Sequence, residues 1–241
     1  MVTAIFPAAG SSTRMGGGGN KNFMTLAGEP ILIRTLKTFS RVERVNFFVV
    51  IVAAHEVEAV EKLLSSTKGL KPWRVTFGGS ERQYSIANGL KLLPDDAEII
   101  LVHDAARPLI SVWTINDVID AAEKFGGAIA AVPSKDTIKI VDAEGFVKHT
   151  PPRRELVSVQ TPQGFKRKIL LQAYAQAEAE KFLGTDDASL VERLGARIKV
   201  VTSDYANIKI TTPEDLKIAE VLLRRNGGQA SNAQRCVWTR E

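Results

Sequence analysis

The stretch "VTAIFPAAGSSTRMGGGGNKNF", residues 2–23, decides the reading of the fold. Val2 to Phe6 are apolar or β-branched and read as a strand. Small residues follow, then Arg14, four consecutive glycines and Lys21. A strand that runs into a glycine-rich loop brings backbone N–H groups together with no Cβ in the way, which suits an anion. Two named phosphate loops are excluded. The P-loop needs Gly-Lys-Ser/Thr, which this loop lacks, and the dinucleotide pattern G-x-G-x-x-G breaks at Ser12. What remains is a loop bracketed by a guanidinium fork and a point-charge ammonium. That pair fits a triphosphate, whose α-phosphorus reacts once its oxygens and leaving pyrophosphate are neutralised. Taken alone, a plain surface loop with solvated cations explains it as well.

Outward from this loop, apolar runs alternate with helix-period segments. "VTAIF" (2–6), "FFVVIVA" (47–53), "WRVTF" (73–77), "EIILV" (98–102), "AIAAV" (128–132) and "RIKVV" (197–201) read as strands. Several lack polar alternation, as strands covered on both faces do. Between them "EPILIRTLKTFSR", "HEVEAVEKLLSS" and "SERQYSIANGLKLL" read as helices, the last with Ser80 and Gln83 spaced as a capping box. "SVWTINDVIDAAEKFGG" starts at Ser111 and stops at Gly126; "TTPEDLKIAEVLLRR" is capped by Thr212, with Pro213 and Asp215 in its first turn. The alternation predicts an α/β fold: a Rossmann-like, mostly parallel sheet with helices on both faces.

Residues 133–165 break the pattern. "TIKIV" and "GFVKH" alternate around "DAEG" like a hairpin, so the segment is expected to project as a β-arm. Its apolar face needs a partner, which points to a homodimer. One domain is expected over 1–225, with a loose tail over 226–241.

The 241 residues, 44% hydrophobic and 24% charged, suit a soluble globular protein. No apolar run reaches bilayer length and the start lacks a basic signal region, so a cytoplasmic location is expected, with no membrane partner. The single cysteine, Cys236, excludes an internal disulfide framework. The net charge of +5 is spread among acids rather than clustered, which argues against nucleic acid. An RNA-binding protein would need aromatics interleaved with cations, and the three Tyr and three Trp are dispersed.

Five motifs in order carry a resemblance. The opening loop, "GGSERQYSIANGL" (78–90), "VHDAARP" (102–108), "QTPQGF" (160–165) and "NIKITTPEDL" (207–216) resemble signatures of the nucleotidyltransferases. Among these, the chain is most similar to the 2-C-methyl-D-erythritol 4-phosphate cytidylyltransferase family of isoprenoid precursor synthesis, over roughly residues 2 to 225. The resemblance implies CMP transfer from CTP to a polyol phosphate. It makes Arg14, Lys21 and Lys209 the catalytic cations. Nucleotide binding falls to Pro7, Ala8, Ala9, Gly10, Gly79, Ser80, Arg82, Ser85 and Asp104. Acceptor binding falls to Ala105, Arg107, Thr137, Arg153 and Thr185, with Thr137 and Arg153 reaching across the dimer.

Bland readings stand beside several of these. Ser80 reads as a helix cap first and a ligand second, Thr185 equally as a cap, Arg82 as a surface charge, and Lys209, between two isoleucines at strand spacing, as an exposed strand lysine. His103 reads as a structural hydrogen-bonder. The implied cofactor is Mg²⁺ or another divalent cation, held mainly by the CTP phosphates, with no certain protein ligand. Two departures from the family pattern are Asn22, where glutamine is usual, and Ala206, where an acid is common. The alternatives are a ribitol-5-phosphate cytidylyltransferase, a sugar-1-phosphate nucleotidyltransferase and a non-catalytic nucleotide sensor.

Overall fold

A computed structural model describes residues 1–10 and 20–225 of the chain. Arg14, the glycine run and the 226–241 tail lie outside the described residues. The chain runs through β1 (Val2–Pro7), β2 (Thr25–Leu26), β3 (Glu29–Pro30), α1 (Ile31–Ser40), β4 (Val45–Val52), α2 (Val57–Ser66), β5 (Trp73–Phe77), α3 (Arg82–Leu90) and β6 (Ile99–Val102). It continues through α4 (Val112–Phe125), β7 (Gly127–Pro133), β8 (Ile140–Val141), β9 (Val147–His149), β10 (Val157–Lys166), α5 (Arg167–Ala179), α6 (Asp187–Arg193), β11 (Lys199–Thr202) and α7 (Pro213–Arg225).

Seven strands form one sheet in the order β11-β7-β10-β6-β1-β4-β5. All neighbours pair in parallel except β10, which is antiparallel to both β6 and β7. Side chains of a strand alternate between faces, and β1 shows the consequence. Ala4 and Phe6 join the layer of α1, α2 and α4, where Phe6 meets the Phe39 and Phe48 rings edge-on at 4.9 and 5.3 Å. Ile5 joins the opposite layer of α3, α5 and α6. A smaller cluster packs α7 against β2 through Leu26, Ile210, Ala219 and Leu223.

The six expected strands are present. Helix α4 starts where the Ser111 hydroxyl accepts from the Thr114 N–H, and it ends at Gly126 with φ of 92°. At α7, Thr212 Oγ1 accepts from the Asp215 N–H while the Asp215 carboxylate accepts from the Thr212 N–H, a reciprocal cap.

Four local expectations are corrected. The segment expected to project over 133–165 does not run its full length, because residues 157–165 belong to β10 inside the main sheet. What leaves the sheet is a small two-stranded ribbon, β8 paired with β9 around Asp142, whose carboxylate accepts from the Glu144 and Phe146 N–H groups. Ser80 does not cap α3; the cap position is Glu81, and the Gln83 carboxamide instead bonds the Phe182 carbonyl and the Gly184 N–H. The cap of α6 is Asp186, not Thr185: the Asp186 carboxylate accepts from the Ser189 N–H at 2.9 Å. Finally, residues 207–211 form no strand, although Ile208 and Ile210 still turn into the α7 cluster.

Candidate active site

Strand β1 leads outward to β4 and β5, and the chain then returns to place β6 on the other side of β1. At such a switch point the loops leaving two adjacent strands diverge and open a crevice at their carboxyl ends. A cavity of about 490 Å³ lies there. It is lined by Pro7 at the end of β1 with Ala9 and Gly10 beyond it, by Asp104 and Ala106 after β6, by Gly79 to Arg82 and Ser85 at the start of α3, and by Lys21, Asn22, Lys209 and Thr211.

Asp104 organises its floor. Its carboxylate lies 2.9 Å from Lys209 Nζ, 3.5 Å from Arg107 Nε and 3.8 Å from Arg82 Nε. Burial works against the charged carboxylate, but Lys209, Arg82 and Arg107 together hold its pKa well below the usual range. Arg82 is fixed from behind: its guanidinium donates to Asp187 at 2.8 Å, and the Tyr174 hydroxyl donates to the other Asp187 oxygen at 2.6 Å. Burial alone would depress the Arg82 pKa; Asp187 and Asp104 outweigh it and raise the value. Asp187 is fully buried, so Arg82 is a bridge between two carboxylates rather than a solvated charge.

Behind Asp104, His103 is completely buried. Its Nε2 faces the Arg107 carbonyl at 3.2 Å, an acceptor only, so Nε2 carries the proton. Nδ1 then accepts from the Thr161 hydroxyl at 3.0 Å, whose oxygen accepts from the Asp104 N–H. Burial lowers the His103 pKa to about 3, so it stays neutral and holds the loop.

The wall of the cavity has little room. A Cβ on Gly78 would lie 2.5 Å from Ala9 Cβ and 2.9 Å from Ser85 Oγ, and one on Gly79 would lie 2.6 Å from Tyr84 Cβ. Gly78 therefore lets the 78–80 loop close on the loop after β1, and Gly79 lets it close on the first turn of α3. Ser85 Oγ receives the Gly79 N–H at 3.0 Å and donates to the Glu81 carbonyl. Ser80 is exposed at the rim. Ala8 faces inward: its N–H donates to Ile51, and its carbonyl receives Asn20 and Asn22.

The structure separates the expected residues into two groups. Lys21, Lys209, Pro7, Ala9, Gly10, Gly79, Ser80, Arg82, Ser85 and Asp104 converge on the cavity. Arg107 turns inward, donating to the Asn207 carbonyl at 2.7 Å, and Ala105 is buried with its carbonyl on Thr35 Oγ1. Thr137 and Arg153 meet one another beside the β8–β9 ribbon at 2.7 Å, both exposed and outside the cavity lining, as is Thr185. Sequence reasoning missed Asp187 and Tyr174, because only the tertiary fold brings α5 and α6 behind Arg82. It also left Gln160 and Asn207 without roles, although their linked carboxamides join "QTPQ" to "NIK".

A family model described as IspD, 2-C-methyl-D-erythritol 4-phosphate cytidylyltransferase, matches residues 2–225. The chain belongs to this family. A 2-C-methyl-D-erythritol 4-phosphate cytidylyltransferase of Caldanaerobacter subterraneus is 44% identical over 225 residues, 93% of this chain and 99% of that protein. One from Geobacillus kaustophilus is 47% identical over 221 residues, 91% of this chain and 96% of its own. Among solved structures, the 4-diphosphocytidyl-2C-methyl-D-erythritol synthase of Anaerococcus prevotii aligns with a TM-score of 0.84 at 34% identity, covering 93% of this chain and 96% of its own. The Thermus thermophilus cytidylyltransferase gives 0.76 at 32% identity, over 92% of this chain and 98% of its own. The IspD neighbours share the mostly parallel sheet flanked by helices.

Proposed function

We propose that the protein transfers CMP from CTP to 2-C-methyl-D-erythritol 4-phosphate, releasing pyrophosphate. The observation that carries this reading is the cluster of Lys209, Arg82 and Asp104 facing Lys21 across one cavity at the β1/β6 switch point. The acceptor's phosphate oxygen attacks the α-phosphorus of CTP, a P–O bond forms, and the α–β bridging bond breaks with its electron pair leaving on pyrophosphate. The attacking oxygen is already anionic at neutral pH, so no protein nucleophile or strong base is needed. The protein's part is to position the two phosphates and to stabilise the developing charge. Lys21 and Lys209 supply that charge in the described part of the site, and Arg14 is assigned beside them from the sequence.

The closely packed 8–10 and 78–80 loops leave space for a pyrimidine and exclude a purine. Ser85 braces the second loop, and Arg82 and Asp104 face the sugar. A divalent cation, Mg²⁺ by expectation, neutralises the triphosphate. The donor set suits a cation carried in by the nucleotide. No group of three or more His, Cys, Asp or Glu side chains gathers among the described residues, and Asp104, the carboxylate placed to contribute, is shared among three cations.

The arm supports a homodimer. Phe146 is 69% exposed, and Ile138, Ile140, Val141 and Val147 are exposed beside it. A second copy covering them would carry Thr137 and Arg153 to the neighbour's acceptor phosphate. Among the described residues no helix is long and apolar enough to cross a membrane, and we assign the enzyme to the cytoplasm, where CTP is made and used.

Pyrophosphate release tests the reading, with CTP, ATP and GTP each offered alongside 2-C-methyl-D-erythritol 4-phosphate and ribitol 5-phosphate. CTP with the methylerythritol acceptor should be preferred. Equal turnover with ATP, or preference for ribitol 5-phosphate, would overturn it.

A further inference from the structure

Lys21 is held in place from outside the cavity. It opens a short 3₁₀ turn, Lys21–Phe23, preceded by Asn20. The Asn20 carboxamide uses its full hydrogen-bonding capacity. Its oxygen accepts from the Asn22 N–H at 3.1 Å and from Asn22 Nδ2 at 2.9 Å. Its nitrogen donates to the Ala8 carbonyl at 2.7 Å and to Glu56 Oε2 at 3.0 Å. The same Glu56 oxygen accepts from the Ala53 N–H at 3.0 Å, in the turn that follows β4.

Three loops therefore meet at one side chain: the loop after β1, the loop after β4 and the turn bearing Lys21. Glu56 is the part of this junction that has no other assignment. Its carboxylate can only accept, so it fixes which end of the Asn20 amide faces it, and the opposite end then grips the Lys21 turn. A carboxylate is a stronger hydrogen-bond acceptor than a neutral carbonyl. The lysine stem is long and rotamer-rich, so its ammonium is pre-placed only if its backbone is held. Transition-state stabilisation by a fixed charge depends on that placement.

We propose that Glu56 is a positioning residue for Lys21, acting through Asn20. This rests on the reading of Lys21 as a cation at the α-phosphate. Steady-state pyrophosphate release is measured for wild type, Glu56→Ala, Asn20→Ala, Lys21→Ala and the Glu56→Ala/Lys21→Ala double variant. Glu56→Ala should lower kcat about tenfold, with the KM for CTP changed less than about threefold, since an ångström of misplacement costs up to roughly 10²-fold. Asn20→Ala should match it, and it serves in place of Glu56→Ala if that protein fails to fold. Glu56→Gln, which keeps a neutral acceptor, should recover most of the rate. In the Lys21→Ala background the loss of Glu56 should cost less than about twofold, because residues acting as a unit are not additive.

An equal loss in both backgrounds would show that Glu56 acts independently of Lys21, and an unchanged kcat in Glu56→Ala would show that it does not act at all. Failure of the underlying reading shows elsewhere: in a wild type that releases no pyrophosphate, or in a Lys21→Ala protein with normal kcat.

Discussion

His103 and Asp104 are neighbours whose surroundings drive their charges in opposite directions. Burial keeps His103 neutral with a pKa of about 3, against about 6.5 in an unfolded chain. Between those values the unfolded chain binds a proton that the native one refuses, so stability rises with pH across the window. At full effect the slope is about 1.4 kcal/mol per pH unit. Urea unfolding should therefore give a more stable wild type at pH 7 than at pH 5. His103→Gln, which keeps a donor for the Arg107 carbonyl, should flatten that difference; an unchanged slope would mean that His103 takes up its proton alike in the folded and unfolded chain. Asp104 works from the acid side. Its folded pKa is depressed, so its contribution is present above about pH 4 and disappears as the pH falls further. At this scale the sequence was legible wherever a residue type announced its chemistry: Lys21, Asp104 and Lys209 sit in recognisable company and meet in one cavity. Asp187 and Tyr174 announced nothing. An acid in a first helical turn and a tyrosine on an amphipathic helix are ordinary until the fold sets both behind Arg82.

Among the elements, β1, β4, β6 and β7 were legible as strands because burial on both faces leaves a continuous hydrophobic signature, whereas β5 and β11, the partly exposed edges of the sheet, were legible from their β-branched and aromatic residues. Strand β10 was not, and its composition explains why. Pro162 and Gly164 argue against a central strand, and Gln160, Thr161 and Gln163 look like exposed positions. In the structure all three polar residues are buried. The pairing with β7 shifts register between Val159 and Gln163. Such an irregularity re-aims side chains, and here Thr161 bonds the His103 ring and the Asp104 N–H while Gln163 bonds Asp186 and the Ala188 N–H. The strand gives up hydrophobic pattern in order to brace the site. The loop at 78–80 carries the sharpest test at this scale. Gly78→Ala places a methyl 2.5 Å from Ala9 Cβ, so one loop must retreat from the other. Calorimetric titration should show CTP affinity reduced about tenfold or more, which is ~1.4 kcal/mol. Undiminished binding would separate this loop from base recognition.

For the whole molecule, the exposed ribbon and the sheet lead to different expectations. If Arg153 completes the neighbour's site, Arg153→Ala and Lys21→Ala proteins are each inactive alone but restore part of the activity when mixed, because one site of the hybrid dimer carries both natural residues. No recovery after subunit exchange has been verified, by mass spectrometry of the mixed dimers, would place Arg153 in the site of its own chain. The sheet order bears on how the chain is made. The two neighbours of β7 are β10 and β11, and both come later in the sequence. On the ribosome, β1, β4, β5 and β6 can pair as they emerge, but β7 leaves the exit tunnel with neither edge partner yet emerged. At roughly 5–20 residues per second it waits a second or more, a bare apolar strand beside a half-built sheet. Nascent chains stalled before β10 has emerged should be cut by protease at β7, and chains stalled after it should not. Through that interval the newborn protein depends on its β6 edge staying free for the strand that will join the two halves, and on nothing else pairing with it first.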